Sequence, residues 1–306
     1  MDPFSDTGDL YQIKQQFFCG QYDLVVKHGL DSFSAESHYK ATEYVVRSHF
    51  ALESIDDALK IIKEDETEGE DAEKLKFLAK YATYLKSRTG GESSDIDEYI
   101  ENFANLEIVA VLGSVYLINL GKLNQALELL SGIEASLETI ALTVQIRILT
   151  GKLELAQKEL SYAKKWAQDD IVFNFAEAWA NLSVGSLNNL QSAFYFFEEI
   201  AQGNTSFKGL VSLLGLNLQL HHFVESKEVL NQLEQLAQTS QTEESLAGDY
   251  LANKVSYDAI TGEADFEQTV TELREVAPSH QFVVDYDDKL ATFDGIVAKY
   301  AEQIEA

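Results

Sequence analysis

Two stretches of this sequence share a short pattern, a glycine followed by an apolar residue and then by an alanine: Gly121-Lys122-Leu123 with Ala126, and Gly151-Lys152-Leu153 with Ala156. Helix-spaced apolar residues run up to each glycine and resume after it. From Leu137 to Asp170, Ile140, Val144, Ile148 and Leu149 keep helical spacing up to the break at Thr150-Gly151-Lys152, and Leu153, Ala156, Leu160 and Ala163 keep it afterwards. Glycine costs roughly 1 kcal/mol relative to alanine inside a helix but is favoured just past a helix C-terminus, where the backbone turns left-handed. The stretch is therefore an αα-hairpin, and the fold must be built from such hairpins.

Weaker copies surround it: Gly20-Gln21-Tyr22 with Val25, Glu53-Ser54-Ile55 with Ala58, Gly185 with a longer turn before Ala193, His221-His222-Phe223 with Ser226, and Gly262-Glu263-Ala264. The wide gap between Glu53 and Gly121 leaves room for one more near Gly90-Gly91. The spacings scatter around the roughly 34-residue period of the tetratricopeptide repeat, although that repeat's terminal proline is missing. Only Pro3 and Pro278 are proline, so nothing between them interrupts a helix by removing an N–H. A length of 306 residues would ordinarily imply two domains, but repeat proteins extend along an axis instead of deepening one core. We expect an all-α, tetratricopeptide-like α-α solenoid of about twelve to fifteen helices in antiparallel pairs. It should span residues 1–278, with residues 279–306 as a C-terminal capping helix of the same domain.

Two segments depart from the pattern. Lys63 to Glu73, KEDETEGEDAE, holds seven acids and no large apolar residue and should be a solvated loop or helix extension between hairpins. Behind the start signal Pro278-Ser279, Phe282, Tyr286, Phe293, Val297 and Tyr300 form one helical stripe, which should pack on the preceding hairpin.

The net charge of −28 disfavours direct binding to nucleic acid or to anionic membrane surfaces. Cys19 is the only cysteine, which excludes an internal disulfide and suits a reducing compartment. The opening MDPFSDTGDLYQ lacks a basic and an apolar leader region, and no run approaches a membrane span, so the expected location is the cytosol. The sequons at Asn181 and Asn204 would not then meet the glycosylation machinery.

No constellation of residues makes an enzyme. His221-His222 are adjacent, about 100° apart on a helix, where a metal pair needs i, i+4 spacing. Aligning Gly69 with a calcium-loop glycine puts Glu64, Glu66 and Glu68 on early ligand positions, but Leu75 falls where the bidentate glutamate belongs. Cys19 with His28 lacks an orienting acid and an oxyanion hole, and Ser279-His280 with Asp285 lacks a nucleophile elbow. Trp166 and Trp179 sit at packing positions. We expect no catalytic residue, cofactor or metal.

The groove-lining positions of tetratricopeptide arrays can be counted back from each turn. They fall on Val111, Val115 and Ile118 from Gly121, on Ala141, Gln145 and Ile148 from Gly151, and on Val211, Gly215 and Leu218 from His221. These are apolar or neutral, which argues against a lysine- and arginine-lined clamp for carboxylates. Some of them could equally belong to the core. The partner-binding candidates are Val111, Val115, Ile118, Gln145, Ile148, Val211 and Leu218.

The chain resembles the epsilon subunit family of coatomer, the COPI vesicle coat, over nearly its whole length. The resemblance is carried by Ile13-Lys-Gln-Gln-Phe-Phe-Cys-Gly20-Gln-Tyr22, by Ala141-Leu-Thr-Val-Gln-Ile146 through Ala156-Gln-Lys-Glu-Leu160, and by Ala178-Trp179 leading to Leu190-Gln-Ser-Ala193-Phe-Tyr-Phe-Phe. Ser279-His-Gln-Phe282 and Phe293-Asp-Gly-Ile-Val-Ala-Lys-Tyr300 close it. The departures are the acidic run and the segment around Gly90. The resemblance implies a curved, non-enzymatic solenoid that grips and stabilises the C-terminal region of coatomer's alpha subunit in Golgi-to-endoplasmic-reticulum retrograde transport. Such a protein would be cytoplasmic and peripheral on Golgi and vesicle membranes, reaching them only through the coat. The competing reading is a tetratricopeptide co-chaperone or scaffold for a short peptide, which would need basic groove residues.

Overall fold

The computed structural model describes residues 8–65, 67–87, 90–134, 136–239 and 244–304. Among these are seventeen α-helices, one short 3-10 helix and no strand. The chain divides into two compact units, 1–206 and 207–306.

The first unit is a series of hairpins: α1 (Tyr11–Phe18) with α2 (Tyr22–Val25), α3 (Ala35–Ala51) with α4 (Ile55–Glu64), α5 (Glu70–Ser87) with α6 (Ser94–Phe103), α7 (Glu107–Asn119) with α8 (Leu123–Ser131), α9 (Leu137–Leu149) with α10 (Leu153–Ala167), and α11 (Ile171–Val184) with α12 (Leu187–Gly203). The second contains α13 (Phe207–Gln219) with α14 (Phe223–Thr239), α15 (Glu244–Thr261) with α16 (Phe266–Val276), and α17 (Gln281–Ile304). The fold is all-α and tetratricopeptide-like. The count exceeds the expected twelve to fifteen because the weak first copy still closes a hairpin with a helix of 4 residues, and because both glycine-poor and glycine-rich breaks end a helix.

Every turn position inferred from the repeat has a left-handed backbone. Gly20, Gly90, Gly121, Gly151, Gly185 and Gly262 have φ between 60° and 79°, and the non-glycine turns Glu53 and His221 have φ 54° and 60°. The same pair of hydrogen bonds recurs at Gly20, Glu53, Gly121, Gly151 and His221, whereas Gly185 and Gly262 each donate to the carbonyl four residues back. At Gly151 its own N–H donates to Ile148 O (2.9 Å) and the Lys152 N–H to Arg147 O (2.8 Å), which satisfies carbonyls at the end of α9 and reverses the chain. Residues pairing in this way at Glu53-Ser54 and His221-His222 show that the turn depends on backbone geometry, with glycine only the cheapest occupant. A Cβ added at Gly151 meets nothing within 4 Å, so Gly151→Ala isolates backbone strain. It should destabilise the chain by about 1–2 kcal/mol, read as a lower denaturation midpoint; an unchanged midpoint would contradict this account of the turn.

Five residues after five of these turns, at Gly20, Glu53, Gly121, Gly151 and His221, a side chain of small or moderate size is sealed between the paired helices. Ala58, Ala126 and Ala156 are fully buried, as are Val25 and Ser226. Around them lies a core centred on Phe77, Tyr81, Val109, Leu112, Tyr116 and Ile146, and a smaller one of Ile13, Phe17, Val25, Tyr44 and Val45.

The acidic run divides as its chemistry dictates. Lys63 and Glu64 end α4, while Glu70, Asp71 and Glu73 occupy the first turn of α5, where carboxylates meet the positive end of the helix dipole. Glu66 lies outside the described residues. The tail corrects an expectation. Val283 is buried against the preceding hairpin and Phe282 is half-buried, but Phe293, Val297 and Tyr300 are exposed. The reason is length: at about 1.5 Å per residue, α16 with 11 residues covers only the start of α17 with 24.

Candidate functional site

Within the first unit, the leading helix of each hairpin forms an inner layer. α1 packs on α3, α3 on α5, α5 on α7, α7 on α9 and α9 on α11; α1 also touches α11, so the succession closes on itself. On α3, Lys40, Glu43 and Arg47 are spaced three and four apart and therefore share one face. That face meets the N-terminal ends of α7 and α9, which present Glu107 and Glu138.

Arg47 donates two parallel hydrogen bonds to Glu138, Nη1 to Oε1 at 3.1 Å and Nη2 to Oε2 at 2.6 Å, and a third to Glu43 Oε1 at 3.0 Å. Lys40 donates to the same Glu43 oxygen at 2.9 Å and stands 3.6 Å from both Glu107 and Glu138. Ser136, the N-cap of α9, donates its hydroxyl to Glu107 at 2.5 Å. One layer along, Lys14 of α1 donates to Asp170 at 2.6 Å, and Asp170 also caps α11 by accepting from the Val172 N–H. Aromatic rings complete the surroundings: the Arg47 guanidinium lies 4.8 Å from the centre of Phe17 and Lys40 Nζ lies 5.4 Å from that of Tyr44.

Burial opposes charge on Glu138, Arg47 and Lys40, and mutual pairing overcomes it. For Glu138 burial pushes the pKa up, but Arg47 and Lys40 outweigh it and hold the carboxyl at about 2. Burial likewise works against the charge on Arg47 and Lys40, yet Glu138 and Glu43 keep both more firmly protonated than usual.

The groove candidates distribute unequally. Val115, Ile118, Gln145 and Ile148 are half-buried on the adjacent helices α7 and α9, and Val111 is buried in the core beside them. Val211 and Leu218 are buried on α13 of the second unit, and Ala141 is buried on α9. The offsets that give Ala141, Gln145 and Ile148 from Gly151 give Glu43, Arg47 and Phe50 from Glu53, and Leu10, Lys14 and Phe17 from Gly20. The reading of a groove without lysine or arginine is thus corrected. Basic side chains do occupy groove positions of the first two hairpins, but carboxylates of the same chain hold them. The signal was present at Glu53, a turn whose residue is not glycine.

Among the described residues, no group of three or more His, Cys, Asp or Glu could hold a metal ion, and no helix is long and apolar enough to cross a membrane. Cys19 is buried, His221 sits exposed in its turn, and Trp179 packs 6.1 Å from Phe175.

The sequence profile described as the coatomer epsilon subunit matches residues 6–301. The chain belongs to that family. It is 28% identical over 195 residues to the probable coatomer subunit epsilon of Schizosaccharomyces pombe, an alignment spanning 63% of each protein. It is 25% identical to the coatomer subunit epsilon of Caenorhabditis elegans, over 94% of this chain and 97% of the other. The Saccharomyces cerevisiae protein of that name is 21% identical over 95% and 98%. A solved structure, the APC/C hetero-tetramer Cut9-Hcn1, contains a chain similar in fold, with a TM-score of 0.55 and 12% identity over 88% of this chain and 61% of that one. This last likeness bears on the fold alone.

Proposed function

We propose that this chain is a non-enzymatic structural subunit of the COPI vesicle coat, binding and stabilising the C-terminal region of the alpha subunit in retrograde Golgi-to-endoplasmic-reticulum transport. The observation that carries the reading is the family match over residues 6–301. The inner layer supports a protein partner. Val115, Ile118, Gln145 and Ile148 keep part of their surface open on α7 and α9, and Val111 backs them from the core. Val211 and Leu218 on α13 are the corresponding candidates of the second unit. A partner segment pressed onto such side chains displaces water from aliphatic surface, the dominant favourable term in most protein association.

The alternative, a co-chaperone or scaffold clamping a peptide carboxylate, is poorly served by this geometry. Lys14, Lys40 and Arg47 already hold Asp170, Glu43 and Glu138, and an incoming carboxylate would have to displace buried partners. The chain would act in the cytoplasm and reach Golgi membranes only through the coat. The test is co-expression with the C-terminal region of the alpha subunit. A complex that co-elutes on size exclusion and protects both chains from proteolysis is expected, and separate elution would reject the assignment of partner.

A further inference from the structure

The C-terminal helix carries an apolar seam that the chain leaves open. On α17, Val283, Tyr286, Leu290, Phe293, Val297 and Tyr300 succeed one another at alternating steps of three and four residues. That spacing averages about 3.5, the period at which a helix presents a continuous row to a second helix wound beside it. Val283 is buried, but from Leu290 onward the row faces solvent. Phe293 is 61% exposed, Val297 48% and Ile296, which widens the row, 52%. Large apolar side chains contiguous on the surface of so charged a chain mark an interaction site.

Period and charge together select the occupant. A 3.5-residue repeat fits a helix. A bilayer-seated helix would need lysine and arginine on its polar face, whereas here Asp285, Asp287, Asp288 and Asp294 outnumber Lys289 and Lys299. A second copy brings another −28 charges to a seam only about three helical turns long, and repulsion of that kind opposes self-pairing. Asp287 is committed to Arg274 of α16; Asp294 stands beside the open seam without such a partner among the described ion pairs.

We infer that the Leu290–Tyr300 face of α17 docks an amphipathic helix of another polypeptide, one with apolar residues at its own three-and-four spacing and lysine or arginine on the flanking positions. Phe293, Ile296 and Val297 are the central contacts. The surface lies on the second unit, on a different element from the inner-layer candidates of α7 and α9.

The test uses the full chain and three synthetic peptides of about 24 residues, long enough for a marginal helix in water. One has leucine at the heptad positions with lysine beside them, one has glutamate in place of lysine, and one is the lysine peptide scrambled. By fluorescence anisotropy at about 0.15 M salt, where distant charges are screened, the patterned lysine peptide should bind at least about tenfold more tightly than either control. Phe293→Ser with Val297→Ser, both at exposed sites and checked for helicity by circular dichroism, should lose that binding, while Val115→Asp with Ile148→Asp should keep it. Equal binding of the scrambled peptide would reduce the effect to charge and overturn the inference. So would unchanged binding to the serine variant, loss of binding in the α7 and α9 variant, or a dimer by light scattering that the serine variant abolishes.

Discussion

Arg47→Met should destabilise the first unit by about 3–5 kcal/mol, the cost of leaving buried charges without their partner. The substitution keeps most of the side-chain volume and the contact with Phe17, but it strips Glu138 of a two-pronged hydrogen bond and Glu43 of one of its two donors. Both glutamates are buried nearly completely. Denaturant unfolding should show the loss, and a double variant, Arg47→Met with Glu138→Met, should recover part of it because the unpaired carboxylate is gone. If Arg47→Met unfolds at the wild-type midpoint, the cluster has no part in stability.

The same cluster sets an acid limit. A carboxyl whose folded pKa is depressed contributes stability above its unfolded pKa and loses it as pH falls through the folded value. For Glu138 the window runs from about 4.5 down to about 2. Its contribution, on the order of 3 kcal/mol, is therefore complete at neutral pH and disappears across that window. In Arg47→Met the strongest opposing charge is removed, so burial should raise the carboxyl's pKa and move the acid transition to higher pH. Circular dichroism titrations of the two proteins between neutral pH and acid check the direction of that displacement.

The second large effect concerns binding. Val115→Asp combined with Ile148→Asp should weaken the proposed association with the C-terminal region of coatomer's alpha chain at least about a hundredfold, equivalent to roughly 3 kcal/mol. Each substitution removes apolar surface that a partner would cover and obliges the complex to bury a carboxylate instead. Both positions are half-buried, so circular dichroism must first show that the variant is folded. Added salt should slow association more than it reduces affinity, because contacts of this kind hold by burial while charge acts mainly on encounter. Wild-type affinity in a folded variant would place the interface elsewhere, and loss of most wild-type binding at moderate salt would make it electrostatic.

Much of the architecture was legible because its signals are local. A left-handed residue after a helix and a small residue five positions later involve only neighbours in sequence, so Gly121, Gly151 and even Glu53 and His221 could be located without coordinates. Those turns did adopt positive φ, and Ala58, Ala126 and Ala156 were sealed in the hairpins. The family resemblance was also legible, spread over ordered matches from Ile13 to Tyr300. The pairing of the inner layer's charges was not. Arg47 and Glu138 lie 91 residues apart and Lys14 and Asp170 lie 156 apart, and nothing in either neighbourhood announces the other.

By itself, then, the sequence determined that the chain is helical, where its hairpins turn and which family it belongs to, since these follow from backbone preferences and residue order. The tertiary structure decided which side chains the groove positions leave accessible. Curvature of the first unit brings α1 and α3 against the ends of α7, α9 and α11, converting basic groove residues into internal ion pairs. It also decided the state of the tail. The stripe on α17 could be read from Phe282 to Tyr300, but whether it was covered depended on the reach of α16, and a short helix cannot bury the far end of a helix twice its length.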